Sequence, residues 1–382
     1  MSVLLNKHLN KIHSLFMHVF GIGCVKKKYS SAYNNVFALF LCVLAIMVYL
    51  EKRFLYTGFS IFATCLQFVQ YYLVQTHVVV TIMQTTRCHV IYDNILEEVH
   101  NITRQFGRGL EVKKFAFFGI TVYTTIAISV LFFEDQRVSW SFWVSMYLST
   151  MNSILFINYV TTLLNFCIES MEILNSRLEN MVSFSTIPDK ILKSLLRFSL
   201  EPSLLRNALV VHKSICDLSK NIVKAAALSL SVLVLAASFS YSVLLYKIAM
   251  FFISNTQSRR SKWCTLYLMD FQVIVVFGEV WMIVRSCQNL LRSTNRIAIP
   301  LHQLKNLYPN FGEHLFNAHS MKLLNKKLSL GLWDIFVLDS SLLYGIVITF
   351  GTLVVISLQC DEDFLITNPK TVLTLLARNK TS

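Results

Sequence analysis

The last long apolar run of the chain, residues 335–360, closes with the stretch GTLVVISLQC (residues 351–360), in which Gln359 follows a series of mostly aliphatic residues. An amide placed in hydrocarbon costs free energy unless it meets a partner or water. If this run crosses a membrane, Gln359 therefore needs a polar environment at its end of the helix.

The composition indicates a membrane protein. Of the 382 residues, 54% are hydrophobic and only 15% are charged, and the mean hydropathy is +0.54. Apolar runs of roughly 18 residues or more are long enough to cross a hydrocarbon core. The sequence predicts seven such spans, at residues 34–50, 54–83, 115–133, 138–168, 225–254, 263–284 and 335–360.

The distribution of basic residues predicts the orientation. Lys and Arg in short loops stay on the cytoplasmic side, and 25 of the 35 lie in alternate connecting segments that begin with the N-terminal one. The N-terminus is therefore expected inside and the C-terminus outside. The predicted organisation is an all-α polytopic membrane protein with seven spans. It comprises a cytoplasmic N-terminus (1–33), spans one to four (34–168), a cytoplasmic helical hairpin (169–224), spans five and six (225–284), cytoplasmic amphipathic helices (285–334), a seventh span (335–360) and an extracellular tail (361–382).

This orientation and the residue pattern narrow the function classes. A G-protein-coupled receptor needs its C-terminus in the cytoplasm, so its topology is the reverse. The net charge of +14 is shared among four cytoplasmic segments, whereas a nucleic-acid site would gather the charge on one soluble face. All five prolines lie outside the spans, although alternating-access transporters commonly break their helices near the midplane.

Catalytic and metal-binding motifs are missing from the sequence. It contains no HExxH, GxSxG, GxxxxGK[ST] or GxGxxG motif and no CxxC pair, which are the patterns of common hydrolase, nucleotide and metal sites. We therefore expect neither an enzyme nor a bound metal or cofactor.

The seventh span has a face of small and polar residues. They recur at three and four positions, which places them on one side of a helix, and they are Ser341, Gly345, Thr349, Thr352, Ile356 and Gln359. Small residues also allow close helix packing, and this is the favoured interpretation for Ser341 and Gly345. For Thr352 and Gln359 a water-lined face is at least as good an interpretation, with Val355 and Ile356 as a hydrophobic gate.

The residues around this face resemble a known family. The segment 331–360 resembles the C-terminal signature of insect gustatory receptors, a Thr-Tyr pair followed by five hydrophobic residues and Gln-Phe. Thr352 and Gln359 match, whereas Leu353 stands in the place of the aromatic residue and Cys360 in that of the phenylalanine. The cytoplasmic extensions and span number predicted above are also similar to that family.

The resemblance implies a subunit of a ligand-gated cation channel in the plasma membrane of chemosensory neurons, multi-pass and surrounded by lipid. It further implies a homo- or hetero-tetramer with other gustatory receptor subunits and a small-molecule tastant, most often a bitter or deterrent compound. Gln359 would then lie in the conduction path. A G-protein-coupled receptor and a membrane transporter are the alternatives.

Candidate ligand-binding and modification residues are fewer. Lys247 and Asp270 lie at similar depths of consecutive spans, where opposite charges suggest a pair that is either structural or in contact with a ligand. Asn379 belongs to a sequon in the expected extracellular tail. Glu279 has no partner evident in sequence. The amides of the second and fourth spans and His77 are expected to form interhelical hydrogen bonds.

Overall fold

The computed structural model describes residues 28–51, 61–106, 140–185, 202–253, 259–307, 328–332 and 336–367. Those ranges hold eight helices and one two-stranded sheet. The elements are α1 (Lys28–Glu51), α2 (Ile61–Arg87), α3 (His89–Phe106), α4 (Trp140–Ser185), α5 (Pro202–Ile253), α6 (Arg259–Arg296), α7 (Ala298–Leu307), β1 (Gly331–Leu332), β2 (Phe336–Val337) and α8 (Ser340–Thr367).

Two helices, α4 and α5, are far longer than a bilayer requires. They have 46 and 52 residues, which at 1.5 Å per residue gives about 70–80 Å against a hydrocarbon core of about 30 Å. Neither helix contains an internal proline or glycine, and Pro202 stands at the first position of α5, where its missing N–H costs nothing. The fourth and fifth predicted spans therefore continue without a break into residues 169–185 and 202–224.

The extensions of α4 and α5 bury an apolar stripe. The stripe residues on α4 and α5 belong to the main hydrophobic core, and the buried ones include Met171, Leu174, Leu178, Ile215, Leu218 and Ile222. The end of α6 joins this region, because Asn175 donates to the Ser293 carbonyl at 2.9 Å. The extended helices thus pack on one another, with α7 against α4.

Helix α5 lies at the centre of the bundle. It packs against α2, α3, α4, α6 and α8, and small residues allow this close approach. The consecutive residues Ala225, Ala226 and Ala227 are all buried. Since successive residues on a helix point about 100° apart, α5 is buried on more than one side at this level, and Leu228 marks the side that is exposed.

Four described helices contain a segment that is long and apolar enough to cross a membrane, namely Ala32–Leu50, Trp140–Ser183, Asn207–Tyr246 and Val273–Leu304. A shorter apolar segment, Ser340–Ile356, lies in α8. Helix α2 coincides with most of the second predicted span, and its polar residues Gln67, Gln70, Gln75 and His77 are buried. The third predicted span, 115–133, lies outside the described residues.

The seventh helix begins later than its apolar run. The sequence predicted a helix from residue 335, but the segment before α8 is a β1–β2 pair in which Leu332 lies opposite Phe336. Asp339 then caps the helix, because its Oδ1 accepts from the Ser341 N–H at 2.9 Å. The predicted start is therefore wrong by five residues, and the helix extends to Thr367. Strand β1 lies at the end of the segment 285–334, for which amphipathic helices are predicted.

Candidate functional site

A small cavity lies where α2, α4, α5 and α6 meet, near the middle of the predicted spans. Its volume of about 10 Å³ gives room for about one water molecule. Apolar side chains form most of the wall, and the polar lining residues come from α2, α4 and α6. The lining comprises Val74, His77, Thr150, Ser153, Leu233, Ala236, Val275, Val276 and Glu279.

Three of these residues form a hydrogen-bonded chain across three helices. The Ser153 hydroxyl donates to Glu279 Oε2 at 2.7 Å, and His77 Nε2 lies 3.1 Å from the same hydroxyl oxygen. On its other side, His77 Nδ1 lies 3.0 Å from the Ser229 carbonyl oxygen. The chain therefore connects α2, α4 and α6 directly and reaches α5 through the backbone.

The hydrogen-bonded chain of His77, Ser153 and Glu279 can hold its protons in two ways. A carbonyl oxygen only accepts, so His77 Nδ1 donates to Ser229. The remaining proton lies either on His77 Nε2, which gives an imidazolium and a carboxylate bridged by Ser153, or on Glu279, which makes both groups neutral. The net charge of the trio is zero in both cases, and Ser153 is the relay between them.

Glu279 has one oxygen outside this chain. The side chain is only 1% exposed, and Oε1 has no hydrogen-bond partner among the described residues. A buried carboxylate oxygen without a donor is unfavourable in an apolar bundle. This oxygen is consequently the strongest unmet acceptor of the cavity wall.

Further polar contacts surround the chain. Gln84 donates to the Ala225 carbonyl, and its Oε1 accepts from the Ser229 N–H at 2.9 Å. Ser149 donates to Gln75 Oε1 at 2.7 Å. The prediction that His77 and the α2 amides form interhelical hydrogen bonds is thus confirmed for His77 and Gln75.

Helix α8 has two unlike faces. One face packs on α5, where Val354 joins a buried cluster with Tyr246 and Leu358 packs against it. The other face is uncovered in the single chain: Thr352 and Gln359 are exposed, as are Val355 (55%) and Ile356 (51%). The structure thus brings the four predicted pore and gate residues to one open surface.

The other predicted site residues lie elsewhere. Lys247 and Asp270 belong to α5 and α6, but their side chains are outside the described part of the molecule, as is Asn379. The charge pair and the glycosylation site stay predictions. The cavity is instead lined by Glu279. The feature that marked Glu279 in the sequence was its acidic side chain within an apolar run.

The family assignment follows from comparison with known proteins. A family model described as 7tm chemosensory receptor matches residues 21–364, which is most of the chain. The chain belongs to the 7tm chemosensory receptor family. This receptor is accordingly a multi-pass membrane protein, and its family consists of receptors, which are not enzymes. The all-α fold class with seven transmembrane helices that the sequence predicts is confirmed.

Solved structures show the same fold. The insect olfactory receptor OR5 from Machilis hrabei is 13% identical and has a TM-score of 0.53, with 93% of this chain and 99% of that chain covered. The same olfactory receptor in complex with eugenol gives a TM-score of 0.56 at 13% identity and the same coverage. No curated protein sequence matches the receptor.

Proposed function

We propose that this receptor is a subunit of a ligand-gated cation channel that detects a tastant, in the plasma membrane of chemosensory neurons. The observation that favours it is the open face of α8. Gln359 is exposed, beside Thr352, on a transmembrane helix whose opposite face is packed, and an amide in a membrane needs water or a partner. A pore lined by α8 from several subunits supplies that water.

The gate is assigned to the apolar residues of the same face. Val355 and Ile356 lie between Thr352 and Gln359 and are about half exposed, and a ring of such residues closes a pore by dewetting. Beyond Cys360 the sequence continues with Asp361, Glu362 and Asp363. Carboxylates near an entrance favour cations, in agreement with cation conduction.

The subunit number and ligand class rest on similarity. The resemblance of Thr352 and Gln359 to the gustatory signature favours taste over smell, with a bitter or deterrent compound as ligand and a homo- or hetero-tetramer as the assembly. The similarly folded olfactory receptor binds eugenol, which makes a small organic molecule the expected ligand type. Within the described residues, we assign this ligand to the cavity between α2, α4, α5 and α6.

Patch recording from cells that express the receptor, alone and with partner subunits, tests this function. A channel gives unitary currents on application of ligand, and these currents persist in excised patches without cytosolic factors. Uptake of the ligand without unitary currents would indicate a transporter. Currents that require G proteins, together with an intracellular C-terminal epitope, would indicate a G-protein-coupled receptor.

The gate assignment has its own test in the same recordings. Replacing Ile356 with serine makes the constriction easier to wet, so we expect the Ile356→Ser variant to conduct without ligand. Leu358→Ser is the matched control, because Leu358 packs against the α5 cluster. If Leu358→Ser opens the channel and Ile356→Ser does not, the wrong helix face has been assigned to the pore.

A further inference from the structure

We propose that the cavity binds the protonated amine of an organic ligand, with Glu279 Oε1 as the acceptor of its N–H group. This inference rests on the proposed function for the location of the ligand, and it adds the chemical class. It depends on three observations: an unpartnered buried oxygen, the charge of the wall, and the shape of the space beside it.

The unpartnered oxygen belongs to a residue that lines the cavity. Glu279 lines the cavity, its Oε2 is held by Ser153, and its Oε1 has no partner in the described part of the chain. Because Oε2 is fixed by the serine, the carboxyl group cannot rotate without losing that hydrogen bond. The cavity therefore offers one acceptor in a fixed position.

The charge of the wall favours a cation. No Lys or Arg is among the described lining residues, and His77 reaches Glu279 only through the Ser153 hydroxyl. An ammonium group at Oε1 would supply a positive charge directly and allow His77 to be neutral. Hydrogen bonds between ionised partners are roughly twice as strong as neutral ones, and the described lining offers no Lys or Arg to pair with an anionic ligand.

The small number of ligating groups in the cavity wall favours an organic amine over a metal ion. Calcium takes six to eight oxygen ligands, and the described residues contain no group of three His, Cys, Asp or Glu side chains that could hold a metal ion. An amine needs fewer oxygen acceptors. Its apolar substituents would contact Leu233, Val275 and Val276, which line the same cavity. Since the space is about 10 Å³, these side chains must move apart as the substituents enter.

The test compares an amine with a neutral compound of the same shape, phenethylamine and propylbenzene, on the purified full-length receptor. We expect phenethylamine to raise the unfolding temperature of the wild-type protein and propylbenzene to have a much smaller effect. In Glu279→Gln, which keeps the shape and an acceptor for Ser153, the apparent affinity for the amine should fall on the order of tenfold to a hundredfold. Glu172→Gln, which removes an exposed carboxylate from α4, should leave it unchanged.

The outcomes separate this inference from the channel assignment. Glu279-dependent stabilisation by the amine without ligand-evoked current would support the amine site and contradict the channel. Equal stabilisation by both compounds, or an equal loss in both Gln variants, would overturn the amine site whatever the currents show. If Glu279→Gln does not fold, the wild-type comparison decides alone, and no stabilisation by phenethylamine means that the cavity holds water only.

Discussion

The centre of the helix bundle and the open face of α8 both combine polar and apolar residues, but they satisfy their polar groups differently. In the bundle, His77, Ser153 and Glu279 bind one another across helices. On α8, Thr352 donates to the carbonyl of Ile348 in its own helix at 2.9 Å, and Gln359 is exposed. The three bundle residues bind one another and leave only Glu279 Oε1 of their side-chain atoms unmet among the described residues, whereas Gln359 on α8 requires water or further subunits.

In the channel that we propose, this difference separates ligand binding from conduction. Residues that are satisfied within the chain fix the arrangement of the helices, and a ligand among them changes how those helices pack. Residues that are open on a single subunit become functional only when subunits assemble around a shared axis. We therefore expect substitutions in the bundle to alter stability and ligand response, and substitutions on the open face to alter conduction.

The largest expected effect is overpacking at the bundle centre. Ala226 is 0% exposed, so Ala226→Leu should destabilise the receptor by about 3 kcal/mol and remove most of it from the cell surface. Gly345→Ala is the matched change on α8, where an added Cβ meets no atom within 4 Å. Surface biotinylation should show normal amounts of this variant, and equal loss of both variants would contradict the distinction.

A smaller effect is expected at the serine relay. Ser153→Ala leaves Glu279 Oε2 and His77 Nε2 without their shared partner, which should cost about 1–3 kcal/mol. This loss is measured by heating the purified receptor and finding the temperature at which half of its monodisperse chromatographic peak has disappeared. Thr349→Ala on the exposed side of α8 should change that temperature little, and similar shifts in both variants would remove the contrast.

The smallest effect concerns the start of α8. Asp339→Ala removes the acceptor for the Ser341 N–H, and loss of such a cap costs about 1 kcal/mol. Because the cap fixes the start of α8, which we propose lines the pore, the ligand concentration for half-maximal current should shift while unitary conductance stays the same. Asp339→Asn keeps a capping oxygen and should restore the wild-type response, whereas an altered conductance would place Asp339 in the pore.

The sequence predicts the long elements well because their causes are local. Uninterrupted apolar runs without proline or glycine predict α4 and α5, and spacing of three and four residues predicts the open face of α8. The start of α8 was missed because hydropathy does not distinguish a short strand at Phe336–Val337 from the first turn of a helix. Asp339 marks the boundary through its capping bond, which the structure makes visible.

The cavity could not be predicted in the same way. Ser153 and Glu279 are 126 residues apart, and their contact depends on the relative rotation and height of α4 and α6. Neither quantity follows from the pattern within one helix. The sequence identifies Glu279 as a costly residue, and only the packing of four helices shows its partner.

Single-channel recording of Gln359→Ala beside Leu358→Ala tests the central claim most directly. The two positions are adjacent, but Gln359 lies on the open face and Leu358 packs against the Tyr246 cluster. If α8 lines the pore with its open face, Gln359→Ala changes unitary conductance or cation selectivity with little change in ligand sensitivity, and Leu358→Ala leaves permeation intact. Unchanged permeation in Gln359→Ala with a large change in Leu358→Ala would contradict the account.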